Sequence, residues 1–250
     1  MSFMTSLVAV GSVGVACCAA DATVIAAWDF QTTTGGGTAA AASPGSPKVY
    51  VANFGSGALY LDGTNFSSDF QTSSPNAEIT GLLGTSLNAN TALGMSTVTS
   101  GAAALAIVAG VATGSSYSAN GKSMVFRFSM ADCAGLTISY ATQRTGTGFT
   151  SQVFEYSTDG VAWSIIGANT SIQSSFSATG TPPGAVTTFS GITGLDGALT
   201  AYVRVTFSGA TSPTGNNRFD NVIFSVAVPA PGIGGLVGVA GMLGSRRRRG

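Results

Sequence analysis

The sequence predicts an all-β sandwich with a helical apolar segment at each end. Apolar and polar residues alternate with a period of two in many short segments, which is typical of half-buried strands. Charged residues make up only 8% of the chain and 35 residues are glycine, a composition that favours sheets joined by tight turns. We therefore divide the chain into a signal peptide (1–22), a β-sandwich domain (23–227) and a C-terminal tail (228–250).

The N-terminal segment has the pattern of a cleavable export signal. Ten uncharged, mostly apolar residues, LVAVGSVGVA, run from Leu7 to Ala16, and Ala20 and Ala22 then form an A-x-A site. The pattern predicts a signal helix and cleavage by signal peptidase after Ala22. Cys17 and Cys18 leave open the alternative that one of them is acylated as in a lipoprotein.

Nine segments of the central region carry the strand pattern. In one of them Leu136, Ile138 and Tyr140 occupy one face and the intervening residues the other. The nine segments are 23–30, 49–54, 58–63, 124–130, 136–144, 151–157, 161–167, 201–209 and 219–228. So many strands in a single domain predict a sandwich of two sheets.

Two further segments sharpen the prediction. The turn residues at 157–160 end in Gly160, which supports a hairpin between the strands at 151–157 and 161–167. The apolar run at 101–112 is too short to span a membrane. We expect a buried strand over 105–111, with a helix as the alternative.

Two stretches of the domain resemble a known class of module. The phrases FEYSTDGVAWS (154–164) and YVRVTFSGATSPTGNNRFDNVIFSV (202–226) are similar to the closing strands of jelly-roll modules in secreted bacterial proteins. Galactose-binding-like and carbohydrate-binding domains share this character. The resemblance implies a jelly-roll-like sandwich.

Three aromatic residues and three oxygen-bearing residues are the candidate ligand contacts. Tyr156, Trp163 and Tyr202 would stack on sugar rings if they are exposed, and the alternative is core packing. Asp29, Asp220 and Asn221 offer oxygen ligands for a structural Ca²⁺ ion, the one cofactor we consider. The alternative is that the polar residues at 216–221 make turn and strand-end hydrogen bonds.

The C-terminal tail combines a proline motif, an apolar stretch and a basic cluster. Val228, Pro229, Ala230 and Pro231 precede GIGGLVGVAGMLGS and then four arginines, Arg246, Arg247, Arg248 and Arg249. The apolar stretch predicts a short helix that enters a bilayer, with the arginines remaining at the anionic cytoplasmic face.

This order resembles the PEP-CTERM sorting signal of Gram-negative bacteria, in the variant that opens Val-Pro-Ala-Pro. Ala230 stands where that motif carries glutamate. The resemblance implies recognition by an exosortase, a transient inner-membrane stage and delivery to the envelope or the extracellular space. The alternative is an ordinary anchor that stays in the inner membrane.

Residue usage excludes several functions. The chain has no histidine, which removes histidine-based catalytic triads and histidine-ligated metals. Four of the ten basic residues lie in the tail, so the rest of the chain has six basic and ten acidic residues. We expect no nucleic-acid partner for such a domain. Cys133 is alone in the mature domain and is expected to be a small buried residue.

These observations favour an exported, non-enzymatic surface or extracellular-matrix protein. The alternative is a carbohydrate-binding module or carbohydrate-active enzyme that acts on exopolysaccharide. Glycoside hydrolysis requires two carboxylates, and the chain has Glu78, Glu155 and eight aspartates, but nothing in the sequence identifies a partner for Glu155. The alternative, which we favour, is that these are solvated carboxylates on strand faces.

Overall fold

A computed structural model describes residues 22–31, 47–73, 75–83, 90, 93, 95, 103–174 and 185–227, all within one compact unit, Ala22–Ala227. The predicted signal helix, with Ala20, and the tail from Val228 to Arg249 lie outside the described residues. No helix of the described part of the chain is long and apolar enough to cross a membrane. The export and sorting expectations therefore stay predictions.

The described residues form two antiparallel sheets and a separate small hairpin. Sheet A contains β1 (Ala22–Trp28), β3 (Phe54–Gly55), β5 (Ile79–Leu83), β6 (Ala103–Val108), β10 (Leu136–Arg144), β13 (Ala185–Ile192) and β15 (Asn216–Ala227). Sheet B contains β2 (Val49–Val51), β4 (Gly57–Tyr60), β9 (Ser123–Phe128), β11 (Ser151–Ser157), β12 (Ser164–Asn169) and β14 (Ala201–Ser208). The hairpin pairs β7 (Ala112–Thr113) with β8 (Ser116–Tyr117).

The strand order places the last strand in the middle of its sheet. Sheet A runs β13-β10-β15-β1-β3, and β6, which carries β5, pairs with the first part of β15. Sheet B runs β12-β11-β14-β9-β4-β2. The predicted hairpin is confirmed, because β11 and β12 pair antiparallel and Gly160 has a φ of +75°. Within the run at 101–112, Ala103–Val108 form strand β6, so the expected strand over 105–111 is present as far as Val108 and the helical alternative is wrong.

The two sheets pack face to face through large apolar side chains. Trp28 of β1 lies at the centre, with its ring 4.9 Å from that of Phe126 in β9 and 5.4 Å from that of Phe224 in β15. Its indole nitrogen donates to the carbonyl of Tyr50 at 3.0 Å. The β-sandwich prediction is confirmed. Cys133 is half-buried and packs against this core as a free thiol.

A β-bulge in β15 lets both of its halves reach the core. Strict alternation would place Phe219 and Phe224 on opposite faces of the sheet. The pairing with β10 shifts register between Ser139 and Ala141, and Asn221 has a φ of +46° at that point. Asparagine tolerates this left-handed conformation better than most residues. The extra residue resets the phase, so Phe219, Val222 and Phe224 are all buried in the core.

The outer face of sheet A carries contacts of its own. Ala27 and Ile223 pack there against Met95 in a second, smaller apolar cluster. The Asn90 amide donates to the carbonyl of Asn221 at 2.6 Å and to the Ser139 hydroxyl at 3.1 Å. The outer face of sheet B instead carries aromatic and charged side chains around an open hollow, and it forms the candidate functional site.

Candidate functional site on the outer face of sheet B

Alternation along β14 brings polar and aromatic side chains to the outer face of sheet B. Val203 and Val205 are buried in the core, while Tyr202 and Arg204 are half-buried on the opposite side. Register with the neighbouring strands places Arg204 between Glu155 of β11 and Val125 of β9. These residues form one transverse row of side chains across the sheet.

An ion pair covered by an indole ring lies in this row. Arg204 donates from Nε to Glu155 Oε2 at 2.9 Å, and its Nη2 lies 2.8 Å from the same oxygen. The guanidinium carbon is 4.1 Å from the centre of the Trp163 ring, a favourable cation–π distance. Arg204 thus contacts both the Glu155 carboxylate and the Trp163 indole and holds them in place.

The loop between β11 and β12 presents Trp163. Asp159 Oδ1 accepts hydrogen bonds from the backbone N–H groups of Val161 and Ala162 at 2.8 and 2.9 Å. These bonds to Val161 and Ala162, with a further bond from Ser157, lower the pKa of the Asp159 carboxyl. The Trp163 indole N–H donates to the carbonyl of Gly160 at 3.0 Å, which ties the ring to the loop.

A second loop places Phe66 against the same cluster. The Phe66 ring lies 5.2 Å from that of Tyr202 and 6.5 Å from that of Trp163, and 47% of the residue is exposed. Phe66 has a φ of +68° and Asn65 a φ of +49°, a strained conformation for an aromatic residue. A Cβ on Gly160 would lie 1.9 Å from the Phe66 ring, so glycine there makes room for it.

Beside this aromatic cluster lies an open hollow of about 350 Å³. Arg127 of β9 pairs directly with Tyr202 on one side and with Ala58 on the other, so the hollow adjoins the cluster. Its lining also includes the aromatic residue Tyr60, the apolar residues Val51 and Leu199, and the hydroxyl-bearing residues Ser56, Ser129 and Thr200. The volume is at the lower end of the range for small-ligand sites.

The structure separates the three aromatic residues that the sequence singles out. Trp163 and Tyr202 meet on the outer face, joined by Phe66. Tyr156 follows Glu155 on β11 and therefore points the other way, where it packs against the core and its hydroxyl rests on Gly194. It lines a different hollow, of about 400 Å³, at the edge between β12 and β13.

The three predicted calcium ligands are buried near the junction of β1 and β15. Asp29 is 2% exposed, and Asp220 and Asn221 are fully buried. Gln31 links the two carboxylates, since its backbone N–H donates to Asp29 Oδ1 at 3.0 Å and its amide lies 3.4 Å from both Asp220 oxygens. Asp220 Oδ1 also accepts the N–H of Asn221 at 2.9 Å.

These hydrogen bonds agree with the alternative given above, in which the polar residues at 216–221 make hydrogen bonds at turns and strand ends. Among the described residues, no three acidic, cysteine or histidine side chains come together as a metal-binding group. Ca²⁺ takes six to eight oxygen ligands, and three of the carboxylate oxygens here already accept protein N–H groups. Calcium binding stays a prediction from the sequence.

No protein-family model and no curated protein matches the chain. Among solved structures, the K1 adhesin domain of Lys-gingipain from Porphyromonas gingivalis W83 is 10% identical with a TM-score of 0.42, over 83% of this chain and 99% of that one. The K2 adhesin domain of Lys-gingipain is 11% identical, with a TM-score of 0.40 over 81% and 97%. The module TmCBM61, solved with beta-1,4-galactotriose, is 9% identical, with a TM-score of 0.33 over 59% and 81%.

Sequence reasoning missed Phe66, Arg127 and Arg204 as members of the site. A signal existed for the two arginines, because each alternates with apolar residues on a strand, in VFRF and YVRV, and so belongs to an outer face. Phe66 lies in a loop without periodicity. Its place over Gly160 depends on tertiary structure alone.

Proposed function

We propose that the chain is an exported, non-enzymatic, jelly-roll-like module that binds a polysaccharide on the outer face of sheet B. The observation that carries the proposal is the half-buried aromatic cluster of Phe66, Trp163 and Tyr202 beside a hollow lined by hydroxyl groups and Arg127. Sugar rings present apolar C–H faces and hydroxyl rims. An aromatic surface with adjacent hydrogen-bonding groups complements both.

The site is also suited to binding because its parts are held in place. Trp163 is tied by its indole hydrogen bond and by Arg204, and Phe66 is seated on Gly160. A side chain that is already ordered loses little conformational entropy when a ligand arrives. The strained backbone at Phe66 is of the kind that concentrates at ligand sites.

The two glutamates considered for glycoside hydrolysis are engaged in ion pairs, which supports a binding role over catalysis. Glu155 pairs with Arg204, and Glu78 is buried against Lys122. An acid catalyst must hold a proton and give it to the leaving group, whereas each of these carboxylates is held by a protein cation.

Replacing Trp163 or Tyr202 with alanine is expected to weaken polysaccharide binding about tenfold or more, the equivalent of about 1.4 kcal/mol. Each change removes apolar area from the proposed contact surface. Affinity electrophoresis of the purified full-length protein in gels that contain a panel of bacterial exopolysaccharides measures the effect.

The matched control is Val161→Ala, since Val161 lies in the same loop as Trp163 and is 79% exposed but belongs to neither the cluster nor the hollow. Binding that survives in both aromatic variants, or that falls equally in the Val161 variant, would refute the assignment of this face. Circular dichroism of each variant confirms that the sheets are intact.

For the tail, we propose exosortase sorting through Val228–Pro231 and the arginines Arg246–Arg249, after cleavage by signal peptidase. The support is the order of proline motif, apolar stretch and basic cluster in the sequence. Expressed in hosts with and without an exosortase, the protein is expected to lose the residues beyond about Val228 only where the enzyme is present. Mass spectrometry of the mature protein detects this, and an intact tail in the inner membrane of both hosts would indicate an ordinary anchor.

A further inference from the structure

We propose that the ligand of the hollow is a carboxylate-bearing polysaccharide, such as a uronic acid polymer, and that Arg127 binds its carboxylate. This inference rests on the proposed function and adds the chemical class of the ligand. It depends on the position of one guanidinium group and on the absence of an anionic side chain beside it among the residues that the structure describes.

Among the described residues, Arg127 is the only charged side chain that lines the hollow, and it is exposed there. Within the part of the chain that the structure describes, its side chain makes no hydrogen bond or ion pair. Arg204 lies on the neighbouring strand β14. Unlike Arg127, it forms an ion pair with a carboxylate of the protein, that of Glu155. Of these two cations on the outer face, Arg127 is the one that can receive an anionic ligand.

The guanidinium group is suited to a carboxylate. Its planar fork of N–H donors matches the two oxygens of a carboxylate and binds them in a bidentate manner. The hydroxyls of Ser56, Ser129 and Thr200 surround the same space and complement sugar hydroxyls. Val51 and Leu199, which are 46% and 82% exposed, add apolar contact at the hollow.

The net charge of the chain without its tail arginines distinguishes a carboxylate bound at Arg127 from a general electrostatic attraction of polyanions. Without the four arginines of the tail, the chain has six basic and ten acidic residues. A net acidic domain repels a polyanion at long range. A preference for acidic over neutral polymers must therefore come from a local contact, and Arg127 supplies one.

The experiment compares each acidic polymer with its own neutral form. Polygalacturonate, alginate and hyaluronate are each tested beside the carboxyl-reduced derivative of the same chain, in which the carboxylate is converted to a primary alcohol. The full-length protein, Arg127→Gln and Lys48→Gln, each with the tail arginines Arg246–Arg249 replaced by glutamine, are compared by affinity electrophoresis at low and high salt. Lys48→Gln is the matched control, because it removes the same charge from a surface pair with Asp69, and Lys48 does not line the hollow.

We expect at least one uronate polymer to bind about tenfold more tightly than its reduced form, an effect appropriate to one charge-assisted contact. This preference should weaken with salt, disappear in Arg127→Gln and remain in Lys48→Gln.

Three results would overturn the inference, and they differ in what else they overturn. Equal binding of acidic and reduced polymers, unaffected by Arg127→Gln, removes the anionic preference and leaves the proposed polysaccharide binding in place. A preference that persists in Arg127→Gln assigns it to another group. Failure of every polymer to bind, acidic or neutral, removes the proposed function together with the inference.

Discussion

Lys122→Met should lower the free energy of unfolding by about 3–5 kcal/mol, since it leaves a buried carboxylate without its cation. The Glu78 side chain is fully buried, and Lys122 is its ion-pair partner. Glu78 also accepts the backbone N–H of Gln71 at 2.9 Å and the Ser118 hydroxyl, so the carboxylate joins the segment at 71–78 to the one at 118–122. Urea unfolding followed by far-UV circular dichroism measures the change.

Two further variants test the cause of this loss. Lys48→Met breaks the exposed pair between Lys48 and Asp69, and exposed pairs contribute only about 0–1 kcal/mol. Adding Glu78→Gln to Lys122→Met removes the stranded charge and should restore part of the stability. A Lys122→Met protein within 1 kcal/mol of the parent, or a double variant less stable than the single one, would contradict the role of a buried ion pair.

Trp28→Ala is the second change with a large expected effect, a loss of about 3–5 kcal/mol in the free energy of unfolding. The indole fills the centre of the core between Phe126 and Phe224, and its removal leaves a cavity. It also leaves the buried carbonyl of Tyr50 without the indole donor, which adds a desolvation cost. Trp28→Phe should lie between the parent and the alanine variant.

The second tryptophan provides the matched control. Trp163→Ala deletes the same side chain from the half-buried outer site and should cost less than half as much stability. Each of these variants removes one of the two tryptophans of the chain and so changes the fluorescence signal itself. Unfolding is therefore followed by far-UV circular dichroism. Equal losses for the two variants would mean that Trp28 is not the centre of the core.

Most of the sandwich could be predicted because strand alternation is a local property. All nine alternating segments contain strand, and Leu136, Ile138 and Tyr140 are buried on one face as expected. Strand β13 carries AVTTFSGI, with few large apolar residues, and was not among the nine. It is an edge strand of sheet A, where one-sided pairing requires less apolar character.

The bulge at Asn221 could not be predicted, since a local count of alternating residues gives no sign of an inserted one. The segment from 219 to 228 has the composition of a strand, yet strict alternation assigns half of it to the wrong face. Only the register with β10 shows that Phe219 and Phe224 share a face. Asp220 and Asn221, considered as calcium ligands, occupy this irregular position.

The candidate site shows the same division between local and tertiary information. Trp163 and Tyr202 could be nominated as aromatic residues on predicted strands and turns, and they do meet. Their common neighbour Phe66 reaches them from a loop more than ninety residues away in sequence from Trp163. Alternation along β11 also places Tyr156 on the opposite face from Trp163 and Tyr202. This could not be concluded from the sequence, because the pairing of Glu155 with Arg204 is needed to show which face of β11 is the outer one.

The central position of β15 has a consequence for the order in which the protein can fold during its synthesis. This strand pairs with β10 along one edge and with β6 and β1 along the other, so that Ala22 lies opposite Ala227. A ribosome delivers the N-terminal end first, and contacts between such distant positions form slowly. Strands β1, β6 and β10 therefore remain without their shared neighbour until residue 227 has emerged, and sheet A stays incomplete until the domain is almost fully synthesised.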